Sequence, residues 1–408
     1  MRKYPFLLLA MLLSLEGGAC TSAIVSGKFT HDGRPLMWKQ RDTNNGNNKL
    51  CYFTGARFDY IGLVSAGKAE SSVWIGMNEA GFSIMNTASY NLNDTVEQSF
   101  DRSAGLFMSV ALSLCETLQD FESILDTLPK PTGLHSNFGV IDGYGGASYY
   151  EAGNNGWTKI DVNDPANAPL GFVIRTNYSF SGDPLRGKGY ARYITAYDIF
   201  YRNAIIDNLN PETILQQAGR SLYNYFTRDD LKDMATAENE VRLVHFADNI
   251  ARKNSTSSLV IKGIRYGDEF SSSTMWVAVG WPLATVAYPV WLNPGHLLPE
   301  MLTAPPEHTA PLCDVSLELK KRSFPSIYDN GPDYLDINKV NNTNGSGYLQ
   351  WLLPLEDRIF SFSNKEMTKW EGRTPSTREL SDLYKEIDRL IIDEYKNHER
   401  ELTLKILK

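Results

Sequence analysis

Cys20-Thr21-Ser22-Ala23-Ile24-Val25-Ser26-Gly27-Lys28, then Asp32-Gly33-Arg34-Pro35, then Leu36-Met37-Trp38-Lys39-Gln40-Arg41-Asp42 is the stretch on which the fold turns. Two short apolar runs, 23–26 and 36–39, flank a cluster of turn residues, which predicts a β-hairpin. The hairpin carries residues 39–42 back beside Cys20. A cation there favours a thiolate and a neutral amine, and a carboxylate holds a proton or an ammonium by hydrogen bond. Lys39, Arg41 and Asp42 are the residues on offer.

The segment before Cys20 explains why that cysteine matters. Residues 1–19 run from a basic start (Arg2, Lys3) through an apolar stretch, 6–15, to Glu16-Gly17-Gly18-Ala19. That is the order of a secretory signal peptide, with small residues before the cut. Cleavage after Ala19 leaves Cys20 first in the chain, with a thiol and a free α-amine on one residue. The amine takes the proton and the sulfur attacks a carbonyl. An unperturbed α-amine titrates near ~7.7–8.0, so a fair fraction is free base at neutral pH. A second reading competes: a cysteine after a leader is also where bacterial lipoproteins are acylated. Gly17 stands where such sites usually carry Leu. On either reading the chain is exported, to the periplasm or outside the cell, and it is lipid-anchored if Cys20 is acylated.

Composition narrows the partners. The 408 residues have a formal net charge of −8. With no long basic run, nucleic acid and anionic membranes are poor partners. After the leader, no apolar stretch approaches the ~20 residues of a membrane-spanning helix. Cys51, Cys115 and Cys313 allow at most one disulfide among themselves. Cys115 falls in an amphipathic run, 108–128, and reads as core. The six histidines are scattered without metal-ligand spacing, so no metal is expected, and the sequence has no Gly-rich phosphate loop.

Beyond the first hairpin, paired β-like runs at 73–77 and 82–86 flank Asn78-Glu79-Ala80-Gly81. Runs at 137–141 and 147–151 flank a Gly-rich turn. Further strands are expected at 172–176, 258–264 and 274–279, and helices at 108–128, 189–202, 211–225 and 236–254. The tail 376–405 has the spacing of a long amphipathic helix, and 305–347, dense in Pro, Asn and Gly, reads as extended loop. This is an α+β pattern of antiparallel sheets and helices. The expected organisation is a leader over 1–19, a catalytic domain over 20–300, and an extension over 301–408 packed on it.

Five segments carry a resemblance. The Cys20-Thr21 start with Lys39-Gln40-Arg41-Asp42 on the returning strand resembles the choloylglycine hydrolase, penicillin acylase and acid ceramidase group of N-terminal-nucleophile (Ntn) hydrolases. There an Arg-x-x-Asp pair follows the cysteine. Asp42 falls on the aspartate; Lys39 stands where arginine is usual, with Arg41 two residues on. Met77-Asn78-Glu79-Ala80-Gly81-Phe82 resembles a hairpin of the same enzymes, and the strand after it ends at Asn86. Asn137-Phe138-Gly139-Val140-Ile141-Asp142 through Glu151-Ala152-Gly153 resembles their central hairpin. Arg175-Thr176-Asn177-Tyr178 resembles the strand that ends in their oxyanion asparagine, and Tyr190-Ala191-Arg192-Tyr193 the helix start bearing a second arginine.

The resemblance covers about residues 20–279 and implies a four-layer α-β-β-α sandwich. It implies Cys20 as nucleophile on a small-molecule, linear, non-peptide amide, by hydrolysis or acyl transfer, without a cofactor. Catalytic roles fall to Cys20, Asp42, Asn177, Arg192 and Lys39; Asn86 and Arg41 face the substrate. An amide N–H aimed at the oxyanion contributes ~2.7–4 kcal/mol. A dipeptidase of the related cysteine family and a lipid-anchored, non-catalytic binding protein are the rival readings. A homo-oligomer is compatible with this sequence.

Overall fold

The computed structural model describes residues 19–67, 71–93, 100–269, 272–293, 295–327, 329–370 and 373–407. The leader expectation therefore lies almost wholly outside the described residues. The 20–42 stretch folds as the sequence predicts: strand β1 (Thr21–Val25) returns antiparallel as β2 (Leu36–Asp42), pairing Thr21 with Gln40 and Ser22 with Lys39. Gly33 sits at φ 75° between them, a left-handed position glycine occupies without steric cost.

A meander follows: β3 (Asn48–Phe53), β4 (Tyr60–Ser65), β5 (Val73–Asn78), β6 (Ser83–Ala88), β7 (Ser136–Ile141), β8 (Ala147–Gly153) and β9 (Gly156–Asp161). These form one seven-stranded antiparallel sheet in sequence order. Strand β10 (Phe172–Arg175) returns to pair with β1, and β12 (Ser255–Lys262), β13 (Thr274–Val279) and β14 (Tyr288–Val290) extend the other edge. The resulting six-stranded sheet has the order β10-β1-β2-β12-β13-β14. Strand β11 (Leu243–His245) pairs separately with β15 (Tyr334–Asp336).

The sheets face each other because their alternation puts apolar residues on both sides. Ile24, Met37 and Leu259 of one sheet share a core with Leu63, Met77, Met85 and Tyr149 of the other. Gly139 leaves room for the facing sheet, since a Cβ there would meet the Ile24 side chain at 3.1 Å. Helices α1 (Phe100–Leu114) and α2 (Leu118–Thr127) cover the meander's outer face through Met108, Phe121, Phe138 and Tyr150. Helix α3 (Tyr190–Ala204) and the later helices cover the six-stranded sheet: Phe200 packs on Trp38, and Phe360 stacks on Trp276 at 4.0 Å. The layers run α-β-β-α, as expected.

Several expectations need correction. The run 108–128 is two helices, because Thr117 and Asp120 form a capping box that starts a new helix after Cys115. The run 211–225 gives only one short turn, Pro211–Thr213, and a wider one, Ile214–Ala218. The run 236–254 is not helical: it holds β11, and Asp248 adopts a left-handed φ of 61°. Within 305–347, Pro311 opens a helix to Arg322 that buries Leu312, Val315 and Leu319. Prolines favour a helix's first turn as readily as a loop, and composition does not separate the two. Strands β3, β4, β9 and β14 and the helix Tyr348–Lys369 are not evident from the sequence pattern.

The chain's end is locked to this frame by a buried ion pair. Arg220 holds Glu356 with Nη1–Oε1 at 2.7 Å and Nη2–Oε2 at 2.5 Å, and the Ala287 N–H donates to the same carboxylate. Neither side chain is more than 3% exposed. Replacing Glu356 by Ala leaves an uncompensated buried guanidinium, so Glu356→Ala is expected to lower unfolding free energy by about 3–5 kcal/mol. A urea midpoint within the error of wild type contradicts this.

Candidate active site

Cys20 lies just before β1, the strand between β10 and β2, and is 8% exposed. Continuing the β1–β2 register sets Cys20 opposite Arg41. Strand parity then sorts the neighbours. Lys39 and Arg41 project between the sheets, and Asp42 projects to the outer face. Cys20, Lys39, Arg41, Asp42 and Asn86 line one small pocket with Thr43, Trp74 and Ala88. Five of the seven residues predicted for the site are thus brought together around the thiol.

Each cation in this group is held by neutral oxygens. Lys39 Nζ donates to the Trp74 carbonyl at 2.7 Å and to Asn86 Oδ1 at 2.8 Å. Arg41 donates to Asn48 Oδ1 at 2.7 Å and Ser65 Oγ at 2.9 Å, with its guanidinium 4.6 Å from the Trp74 ring centroid. The Lys39 bond takes the Asn86 carbonyl oxygen and so turns its NH2 the other way. The Asn86 NH2 makes one long contact, 3.5 Å to Ser136 Oγ.

Asn177 and Arg192 stand behind the pocket. Arg192, on the first turn of α3, is 2% exposed. Its Nη1 donates to the Cys20 carbonyl at 2.5 Å and to Thr21 Oγ1 at 2.8 Å, and its Nη2 donates to Asn177 Oδ1 at 2.7 Å. Burial, reinforced by the nearby Arg252 charge, pulls this guanidinium down to about 9. Asn177 Nδ2 donates to the Ala88 carbonyl at 2.9 Å. Asn177, through Arg192, therefore links the end of β6 to the start of β1.

Two residues absent from the sequence reading complete the site. Arg252 grips Asp42 Oδ2 through Nε at 2.9 Å and Nη2 at 2.6 Å, and its Nη2 also reaches the Ala19 carbonyl at 3.0 Å. Ser255 Oγ donates to Asp42 Oδ1 at 2.7 Å. Arg252 thus ties the Asp42 carboxylate to the peptide group that joins 19 to 20. Sequence reasoning misses Arg252 because the segment 236–254 has the spacing of a helix; its signal is a basic residue shortly before a strand that pairs with β2.

Other matched segments prove to be scaffolding. Asn78 Nδ2 donates to the Leu112 and Cys115 carbonyls, both at 2.8 Å, and its Oδ1 receives Phe82 N, closing a hairpin onto α1. Glu151 binds Arg175 Nε at 2.7 Å and the N–H groups of Phe180 and Ser181. Asn137 Oδ1 accepts from Ser179 Oγ at 2.6 Å. Glu151 and Asn137 together pin the loop that follows Asn177. Cys115 and Cys313 are buried, and burial pushes each thiol up to about 12. No group of residues with metal-binding geometry occurs among the described residues.

No family model matches the chain, and no curated protein matches it. Among solved structures it is similar to an N-acylethanolamine-hydrolyzing acid amidase ortholog from Caenorhabditis elegans. The identity is 16%, over 63% of this chain and 99% of that one, with a TM-score of 0.39. It is similar to a penicillin V acylase from Agrobacterium tumefaciens at 13% identity, over 67% of this chain and 86% of that one, TM-score 0.39. A mutant conjugated bile acid hydrolase from Clostridium perfringens matches at 10% identity, over 68% of this chain and 93% of that one, TM-score 0.37. At these scores the likeness adds no weight to what the sheets and side chains show.

Arg192→Lys removes the planar fork that serves three buried acceptors, and an ammonium cannot span them. Its expected cost is about 2–4 kcal/mol of stability, read by urea unfolding. An unchanged midpoint would mean that the fork does not hold the strand.

Proposed function

We propose that this chain is an exported hydrolase of linear, non-peptide amides that uses Cys20 as its nucleophile once residues 1–19 are removed. The observation that carries this reading is the convergence on Cys20 of Lys39, Arg41, Asp42 and Asn86 in one pocket at the end of a central strand. Arg252 and Asp42 meet at the 19–20 peptide, where an α-amine would be freed.

The chemistry follows from these positions. The thiol gives its proton to the Cys20 amine as sulfur attacks the amide carbonyl. Negative charge gathers on the carbonyl oxygen, where the Asn86 NH2 and a main-chain N–H donate to it. Lys39 keeps Asn86 turned for this task, and Arg192 with Asn177 fixes the main chain of the nucleophile. The amine, with Asp42 beside it, returns the proton to the departing nitrogen as the C–N bond breaks. Water then attacks the thioester, giving a carboxylic acid and the free thiol; an amine acceptor in place of water gives acyl transfer.

Intact mass and N-terminal sequencing of the secreted protein test the premise directly. The expected product begins at Cys20, carries no lipid, and is alkylated by iodoacetamide with loss of activity. An acyl chain on Cys20 overturns the catalytic reading. Cys20→Ala should lower kcat on N-acyl amides by at least about 10³-fold with the far-ultraviolet circular dichroism unchanged. Asn86→Ala should lower kcat by about 10²–10³-fold with little change in KM; a loss confined to KM would assign Asn86 to binding alone.

A further inference from the structure

Next to the nucleophile's pocket lies a larger one, of about 670 Å3, between the start of β12 and the helix Pro311–Arg322. Thr43 lines both, so the two pockets adjoin at that residue. Lys253, Lys320, Lys321 and Lys405 line it, with Asp314 and Glu318 as its carboxylates. Lys321 is paired with Glu318. Lys253 and Lys320 have no hydrogen-bond or ion-pair partner for their ammonium groups among the described residues. Burial lowers the Lys320 ammonium to about 8, while Asp42 pulls it upward and Lys253 pushes it down. The lining carries four lysines against two carboxylates, and two neighbouring ammonium groups that no carboxylate bonds repel each other until an anion enters between them.

We propose that this recess is an anion subsite: Lys253 and Lys320 receive a carboxylate, sulfonate or phosphate carried by the amide substrate, beyond the bond that Cys20 attacks. The placement rests on the hydrolase reading above only for the word substrate; the subsite itself rests on its own residues. Its far wall comes from the extension, which makes the 301–408 segment part of the recognition machinery. In a chain whose net charge is −8, a recess with unpaired cations also draws an anionic ligand toward the thiol.

Calorimetric titration with sulfate at low ionic strength tests the subsite without turnover. Sulfate is expected to bind the mature protein with one-to-one stoichiometry, and at least tenfold more weakly to Lys320→Met and to Lys253→Ala. Lys253 sits on a partly exposed loop, so its variant keeps the test alive if Lys320→Met fails to fold. Absence of sulfate binding, or binding that both substitutions leave unchanged, overturns the proposal. A matched pair of N-acyl amides, one ending in a sulfonate and one in a neutral hydroxyl, gives the second reading. In the variants the KM for the sulfonate should rise at least tenfold relative to that for the neutral amide; equal changes for both overturn its use for substrate. Lysine-dependent sulfate binding with no turnover of either amide would overturn the hydrolase reading while leaving the anion site standing.

Discussion

The fork of Arg192 is the constraint on which the rest of this site depends. A cysteine just before the first described strand has few strand contacts of its own to hold it, since the ends of strands fray. One guanidinium removes that freedom by bonding the Cys20 carbonyl, the Thr21 hydroxyl and the Asn177 side chain together. Its planarity sets the three acceptors in a fixed relation, and burial makes each bond stronger than it would be in water. The position of Arg192 follows from α3 packing on the six-stranded sheet, where Phe200 meets both Trp38 and Phe172. Global packing thus fixes a single bond direction at Cys20.

Charge around the thiol is divided by strand parity. Between the sheets stand Lys39 and Arg41, which donate to carbonyl and hydroxyl oxygens of Trp74, Asn86, Asn48 and Ser65. On the outer face stands the carboxylate of Asp42, neutralised by Arg252 and oriented by Ser255. The region where an oxyanion would form therefore carries cations, and the region of the 19–20 peptide carries a paired acid. The alternation of a single strand, β2, produces this separation over four residues, Lys39 to Asp42.

The same alternation explains how much was legible in the sequence. The hairpins were readable because turn residues and apolar runs are local signals. So were the clustering of 39–42 beside Cys20 and the α3 start. Arg252 was not legible, since its meaning depends on β12 pairing with β2 across more than two hundred residues of chain. The split at Thr117 turned on one capping box, which a long apolar periodicity masks. The helix in 305–347 was hidden by its own prolines. Asn78, Asn137 and Glu151 were legible as motif members but not as to role; only their hydrogen-bond partners show that they brace loops and hairpins rather than face the pocket.

The segment after residue 300 is bound to the core by more than contact area. Trp276 and Trp281 lie on the six-stranded sheet or directly after it, and Phe360 and Phe324 cover them. The Glu356 carboxylate neutralises Arg220, and Cys313 Sγ lies 3.3 Å from the Gly46 carbonyl, in the turn that follows Asp42. A helix docked on that turn also fixes the backbone at Thr43, the residue shared by the two recesses. Burying a lone guanidinium and two tryptophans without these partners would cost the sheet several kcal/mol, so the sheet and the extension must form together. The wall carrying Lys320 is therefore a helix packed into the core, joined through Cys313 and Gly46 to the turn that follows Asp42.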